Sequence, residues 1–224
     1  MAGLRVSTGA MTGLSTSPRL IKGALVGVDP VNPLASIVAF QYNPDTMTRK
    51  LEPRGSGGGE KGEAFRLAGA PKETISLSIE IDATDGLEQG NPIAITSGIS
   101  PTLAALEMML YPKSALVIAN MAMSAAGLVE ILPATGPMIL FVWGPTRVLP
   151  VRLTSLSIAE EAFDNVLNPI RAKVDLSLAV LSYNDLGAGS AGHALFLVHQ
   201  VAKEVMATTN VFNSAAAIGE GLIL

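Results

Sequence analysis

The sequence predicts a mainly β fold with flanking helices, an α+β chain organised on antiparallel strands. Three observations predict it. Across Glu73 to Asp82, Ile75, Leu77, Ile79 and Ile81 alternate with Thr74, Ser76, Ser78, Glu80 and Asp82, the period of a strand with one face on a core and one in water. From Pro137 to Tyr183, three apolar or alternating runs are separated by Gly144-Pro145 and by a turn at Asp164 to Pro169, which is the punctuation of an antiparallel meander. Helical stripes appear only beside these runs, at Pro101 to Tyr111 and Ala191 to Met206.

In chain order, residues 1–19 read as a flexible arm rich in Gly, Ser, Thr and Met, a composition with too little to bury. Residues 20–186 form the β domain. Leu20 to Asp29 is a strand ended by Asp29-Pro30 and Asn32-Pro33. Ala35 to Tyr42 is a second strand, with Ile37 and Ala39 on one face and Val38, Phe40 and Tyr42 on the other. Apolar residues on both faces predict cover on both. Asn43-Pro44-Asp45 breaks it, and Thr46 to Pro53 resumes an extended path.

Residues 54–66 read as a mobile loop, because Arg54 to Gly62 is mostly Gly with scattered charge. Asp82 to Ser100 reads as a long polar connection. Residues 101–132 are a helical insertion. Its first part starts with Pro101 in the opening turn and carries Leu103, Leu106 and Leu110 on one face. Met138 to Trp143 is apolar on both faces. In Val148 to Phe163, Val151 and Leu153 are in one phase and Leu156 and Ile158 in the other, so a bulge or bend near Ser155 is expected. Arg171 to Tyr183 alternates Ala172, Val174, Leu176, Leu178 and Val180 against Lys173, Asp175 and Ser177. Residues 187–224 are a C-terminal amphipathic helix and tail, the helix at Ala191 to Met206 having Leu195, Val198, Ala202 and Val205 as its stripe.

Composition narrows the function. The 224 residues are 49% hydrophobic and only 15% charged, so the chain is expected to bury surface in an assembly or to enter a membrane. The net charge of −4, scattered Lys and Arg, and ten aromatic residues speak against a nucleic-acid partner. Cysteine is absent, which removes disulfides, thiol nucleophiles and Cys-ligated metals. No apolar run of signal-peptide length lies between Arg5 and Arg19, so no secretory signal is expected. Ala115 to Leu132 is the best membrane candidate. Its small residues and Glu130 favour a buried or interface helix, and no stable insertion is expected.

Catalytic patterns are weak. Gly57, Gly59 and Gly62 fit GxGxxG, but a polar, Pro-containing stretch precedes them and a strand follows, where a dinucleotide site needs strand then helix. Asp82, Asp85 and Glu88 could form a carboxylate cluster; solvated turn residues are the plainer reading. His193 and His199 are six apart on a helix, about 240° around it, and cannot share a metal on one face. No Gly-x-Ser-x-Gly elbow exists. The expectation is a protein with no enzymatic activity and no cofactor.

A set of residues in order then carries a resemblance. It comprises Phe40-Gln-Tyr-Asn-Pro44 followed by Arg49, the strand end Phe141-Val-Trp-Gly144, the run Val151 to Ile158, Phe163, and Asn168 to Val174. In these the chain resembles the tube-protein family of phage-tail-like contractile injection systems, in the tube-initiator or inner-baseplate adaptor type. Such adaptors commonly end in a LysM module, whose Tyr-x-Val…Gly-Asp-Thr-Leu pattern is missing here.

The resemblance implies an antiparallel β-barrel or sandwich, six copies of which form a ring around a channel. The ring would join the spike or hub to the inner tube, contact other baseplate proteins and template tube assembly. The protein would be cytoplasmic, assembled into an injection particle that is released or membrane-anchored. Phe40, Tyr42, Asn43, Pro44, Arg49, Trp143, Arg152 and Arg171 become oligomer-interface candidates, and Ser76, Ser78 and Glu80 lumen-facing candidates. Two other readings stand beside it: a membrane-associated protein anchored through residues 115–132, and a hydrolase built around Asp82, Asp85 or His193.

Overall fold

A computed structural model describes residues 21–28, 36–55, 67–127 and 136–221. The expected arm, most of the Gly-rich loop with its GxGxxG match, and the end of the helical insertion lie outside these residues. Seven strands form one sheet: β1 Ala24–Val28, β2 Ser36–Ala39, β3 Met47–Glu52, β4 Lys72–Asp82, β5 Met138–Val142, β6 Val148–Phe163 and β7 Pro169–Val180. The order is β2-β1-β5-β6-β7-β4-β3 and every described pairing is antiparallel. The mainly β, α+β expectation therefore holds.

The helices are α1 Thr84–Glu88, α2 Pro92–Ser97, α3 Ser100–Glu107, α4 Ser114–Ala125 and α5 Ala191–Gly221. The connection expected from Asp82 to Ser100 is thus two short helices. Asn91 caps the second by accepting from the Ile93 N–H at 2.9 Å, and Pro92 supplies its first turn, the usual division of labour at a helix start.

One curled layer replaces the expected barrel or two-sheet sandwich. β3 pairs with β4 only from Lys72 to Leu77, so the far half of β4 has no strand on that side. β2 comes round to face it. Val38, Phe40, Ile79 and Ile81 line one cleft there, and the Gln41 side-chain oxygen accepts from the Asp82 N–H at 2.8 Å. No ladder joins the two strands among the described residues. The reason is local: Asn43 accepts from the Gly23 N–H and donates to the Ile21 carbonyl, both at 2.9 Å. That ties the chain back to β1 before β2 can lengthen.

The core lies inside this curl. Leu25, Phe40, Ile75, Phe141, Leu149, Val174 and Leu178 are fully buried. α3 packs on β2 and closes the layer with Leu103 and Leu106. Gly98, at φ +56°, makes the turn into α3 against the Pro169 carbonyl, which leaves no room for a Cβ. The Ile99 N–H then donates to that same carbonyl at 2.9 Å.

The phase slip in β6 is a bulge. Leu153 pairs with Leu178 but Ser155 pairs with Ser177, leaving Thr154 as the extra residue. Its hydroxyl donates to the Ser177 carbonyl at 2.9 Å. The insertion returns Leu156 and Ile158 to the core side, where both pack against it. Without it, the period of two would send both into solvent.

Two expectations about cover are corrected. In β2 only Val38 turns inward, toward the core, while Ile37 points to the opposite face and is 60% exposed. In α5 the stripe is split: Leu195 and Ala202 are half-buried and Val198 and Val205 exposed, while the buried side chains are those of Phe196 and His199. β5 does have both faces at least half-covered, with Gly192 of α5 set closely against Met138 and Pro150.

Candidate functional site

Four strands present their polar positions on the outward side of the curl. Register builds the surface in rows. Thr48 of β3 lies opposite Ser76 of β4, which lies opposite Ser177 of β7 and then Ser155 of β6. The next row is Ser78, Asp175 and Ser157, and the third is Glu80, Lys173 and Ala159. The Ser76 and Ser177 hydroxyls are 3.4 Å apart. Thr46, Ser76, Ser78, Ser155, Ser157, Asp175 and Ser177 line a shallow trough on this face.

The face is polar, and its first two rows are mostly small hydroxyl side chains. Its cross-strand pairs are hydroxyl contacts such as Ser76–Ser177 and the Glu80–Lys173 charge pair, without aromatic or aliphatic β-branched partners. The charges that occur are mixed in sign: Glu80 lies opposite Lys173 on the neighbouring strand, and Asp175 is two residues along β7 from it. Such a surface presents neither an apolar patch nor a single-sign field.

All three lumen-facing candidates, Ser76, Ser78 and Glu80, sit on this face, and none is in the core. Ser155, Ser157, Ser177 and Thr48 were missed as members. Their signal was present, since Lys173, Asp175 and Ser177 share one phase of β7; what the sequence lacks is the register that sets them beside β4.

The interface candidates divide. Phe40 is a core residue, packed 6.4 Å from Trp143 between ring centroids, so it is corrected from interface to interior. Trp143 is half-buried and stacked on Phe141 at 5.8 Å. Asn43 fixes the β1–β2 corner, and Pro44 beside it is half-buried. Arg49 is engaged within the chain. Tyr42, Arg152 and Arg171 are exposed, though Arg171 donates to Asp82 at 2.7 Å.

Arg49 belongs to an ionic node. Glu73 has a side chain 4% exposed and accepts from the Arg49 Nε at 2.7 Å, with the Arg49 Nη2 at 2.6 Å and the Lys203 Nζ of α5 at 3.3 Å. Burial pushes the Glu73 carboxyl up, but the Arg49 hydrogen bond and the Lys203 charge outweigh it and hold it below its ordinary value. His199, one turn before Lys203, is buried, and burial plus the Lys203 charge pushes its pKa down. The node pins α5 to the sheet. A second anchor holds the chain before α5: Asp185 takes both oxygens to Arg54 at 2.8 Å and binds Ser182. Burial opposes its ionisation, yet the Arg54 and Ser182 bonds bring its pKa to about 2.

The residues weighed for hydrolysis have structural partners. Asp82 accepts from both the Thr84 N–H and hydroxyl and pairs with Arg171. The Thr84 bonds, chiefly that from the hydroxyl, hold its carboxyl below the ordinary range. Asp85 opens α1 and meets the Gln41 amide at 3.4 Å. His193 faces the Tyr183 ring at 6.4 Å. No group of three or more His, Asp or Glu among the described residues could hold a metal. No described helix is long and apolar enough to cross a membrane, and α4 has 12 residues.

The chain matches no protein-family model, and a search of curated proteins finds no match.

Proposed function

We propose that the chain is a ring-forming structural subunit of a phage-tail-like contractile injection particle. Six copies enclose a channel, joining the spike or hub to the inner tube and templating its assembly. The observation that carries this reading is the serine-rich face of β3, β4, β7 and β6, with Ser76, Ser78, Ser155 and Ser177 in register. A conduit wall has to be wet, smooth and unreactive, and small hydroxyls on a continuous ladder meet that need. Edge strands β2 and β3 lie at the two ends of the sheet order, where a neighbouring copy could cover them. The low charge fraction of 15% fits a chain that completes its burial by assembly.

Mechanistically the subunit does no chemistry. It holds a hydrated wall in place and offers one face of its ring to the next layer. Negative-stain microscopy of the purified protein tests the reading. A six-fold ring with a central hole is expected. A monodisperse monomer at all concentrations, or a compact particle without a hole, refutes it. Replacing Ser76 and Ser177 with Leu is expected to leave the ring intact while obstructing passage through assembled particles. Unchanged delivery by that variant would remove the lumen assignment.

A further inference from the structure

The ionic node around Glu73 holds more positive charge than its carboxylate can answer. Arg49 shares the half-buried phase of β3 with Met47 and stands opposite Ile75. Glu73 lies in the inward phase of β4. Arg147 closes the β5–β6 turn, its carbonyl accepting from the Trp143 N–H at 2.8 Å. It is in phase with Leu149 and Val151, both buried, so it too turns to the side on which α5 packs. From α5 come His199 and Lys203, four residues and about one turn apart. Glu73 is taken by Arg49 and Lys203. Arg147 is half-buried, and Glu73 is the one carboxylate among the described residues that acts on it, without a hydrogen bond. Burial and the Arg49 charge lower the Arg147 pKa, yet a guanidinium keeps its charge in a protein.

His199 is the second, independent sign. It is only 7% exposed, and neither of its ring nitrogens has a hydrogen-bond partner. The Thr146 backbone acts on the ring without reaching hydrogen-bond geometry. Buried polar side chains are nearly always satisfied, so an imidazole left without a partner calls for one from outside the chain. Its charged neighbours are Lys203, Glu73 and Arg147, which places the ring at this node. Burial and the Lys203 charge keep it neutral, with one ring N–H to donate.

We propose that this node binds a divalent oxyanion of the phosphate class, held by Arg147, Arg49, Lys203 and the His199 N–H. Three positive charges against one negative leave an excess of two. A dianion cancels that excess, whereas a single carboxylate leaves one charge over. The planar fork of Arg147 matches two oxygens of a tetrahedral anion, and the imidazole gives a neutral contact to a third. Water reaches the mouth of the site, because the Arg49 and Lys203 side chains are 26% and 40% exposed. Once bound, the anion ties β3 and the β5–β6 turn to α5, a link that Glu73 now makes to β3 alone. The site lies within one chain and is independent of the ring reading.

Thermal unfolding of the full chain at neutral pH tests this, with inorganic phosphate, glycerol phosphate, acetate and chloride compared at matched ionic strength. Both phosphates are expected to raise Tm with concentration, while acetate and chloride leave it in place. Tighter binding of inorganic phosphate assigns the free anion, and tighter binding of glycerol phosphate assigns an esterified group. No rise with either, or an equal rise with acetate, overturns the inference. Arg147→Gln is expected to weaken phosphate binding by about tenfold or more. Arg152→Gln removes the same charge from the outward phase of β6 and is expected to change nothing. Equal losses in the two variants would mean general charge attraction and no site. A readout on the unaltered chain stands beside these. His193 and His199 are its only histidines, and phosphate is expected to shift the ring resonances of His199 and to leave those of His193. Unmoved His199 resonances at saturating phosphate overturn the inference.

Discussion

Removing the charge of Glu73 is the sharpest test of how α5 is held. Glu73→Gln keeps the shape and deletes the carboxylate that faces Arg49 at 2.6 Å and Lys203 at 3.3 Å. Breaking a buried ion pair by removing one partner costs about 3–5 kcal/mol. Here the Arg49 and Lys203 side chains keep 26% and 40% exposure, so both can regain water and the cost falls toward about 2–3 kcal/mol. For a chain of this size that lowers Tm by about 5–10 °C. Urea unfolding followed by circular dichroism measures it, and a cycle with Arg49→Gln isolates the pair, with a coupling of about 1–2 kcal/mol expected. The sign with pH follows from the depressed carboxyl. Its contribution is present above the unfolded Glu value, about 4.3, and is lost as pH falls through the lower folded value; the variant should lack that loss. A change under about 0.5 kcal/mol, with acid sensitivity unaltered, would refute the reasoning.

Three further outcomes are expected. Leu167 sits at φ +68° with its side chain 78% exposed, so Leu167→Gly relieves about 1 kcal/mol of left-handed strain and raises the urea midpoint; a lower midpoint would contradict this. Gly98→Ala places a Cβ 2.1 Å from the Pro169 carbonyl oxygen, a backbone atom that cannot swing away. A loss of about 3 kcal/mol or more is expected, and a neutral result would mean that the α2–α3 turn is elsewhere. His199 has its pKa held down by burial and by Lys203, so the unfolded chain takes its proton first. Stability is complete above about pH 6.5 and declines as pH falls below it, and His199→Gln should flatten that slope in unfolding curves recorded between pH 7.5 and 5.

Much of the sheet was legible because its strands obey a strict period. β4 and β7 alternate along nearly their whole length, Glu73 in the inward phase of β4 being an exception, and the Thr154 bulge announced itself as a slip between Leu153 and Leu156. Periodicity tells which residues share a face, however, and not what lies against it. That is why the stripe of Val198 and Val205 was legible while its direction was not. It is also why Ile37 and Val38 looked alike in the sequence, although only Val38 has a neighbour to bury it. The α1–α2 pair was hidden because helices of five and six residues are too short to show a stripe; the Asn91-Pro92 start was the one sign. The serine face was half legible, strand by strand. The node around Glu73 was not, since Lys203 lies 130 residues away and no local pattern spans that distance.

The placement of β4 between β3 and β7 also sets a schedule. Ser76 meets Ser177 across 101 residues of chain. At about 5–20 residues per second of synthesis, the β3–β4 hairpin emerges some ~5–20 s before its main partner exists. Through that interval Ile75, Leu77, Ile79 and Ile81 lack their β7 neighbours Leu178, Leu176, Val174 and Ala172, and one edge of β4 is open. An open strand edge is a template for pairing with another chain, and until β7 arrives β4 carries one. The order in which segments leave the ribosome thus sets how long that edge waits, a property that the finished contacts do not display.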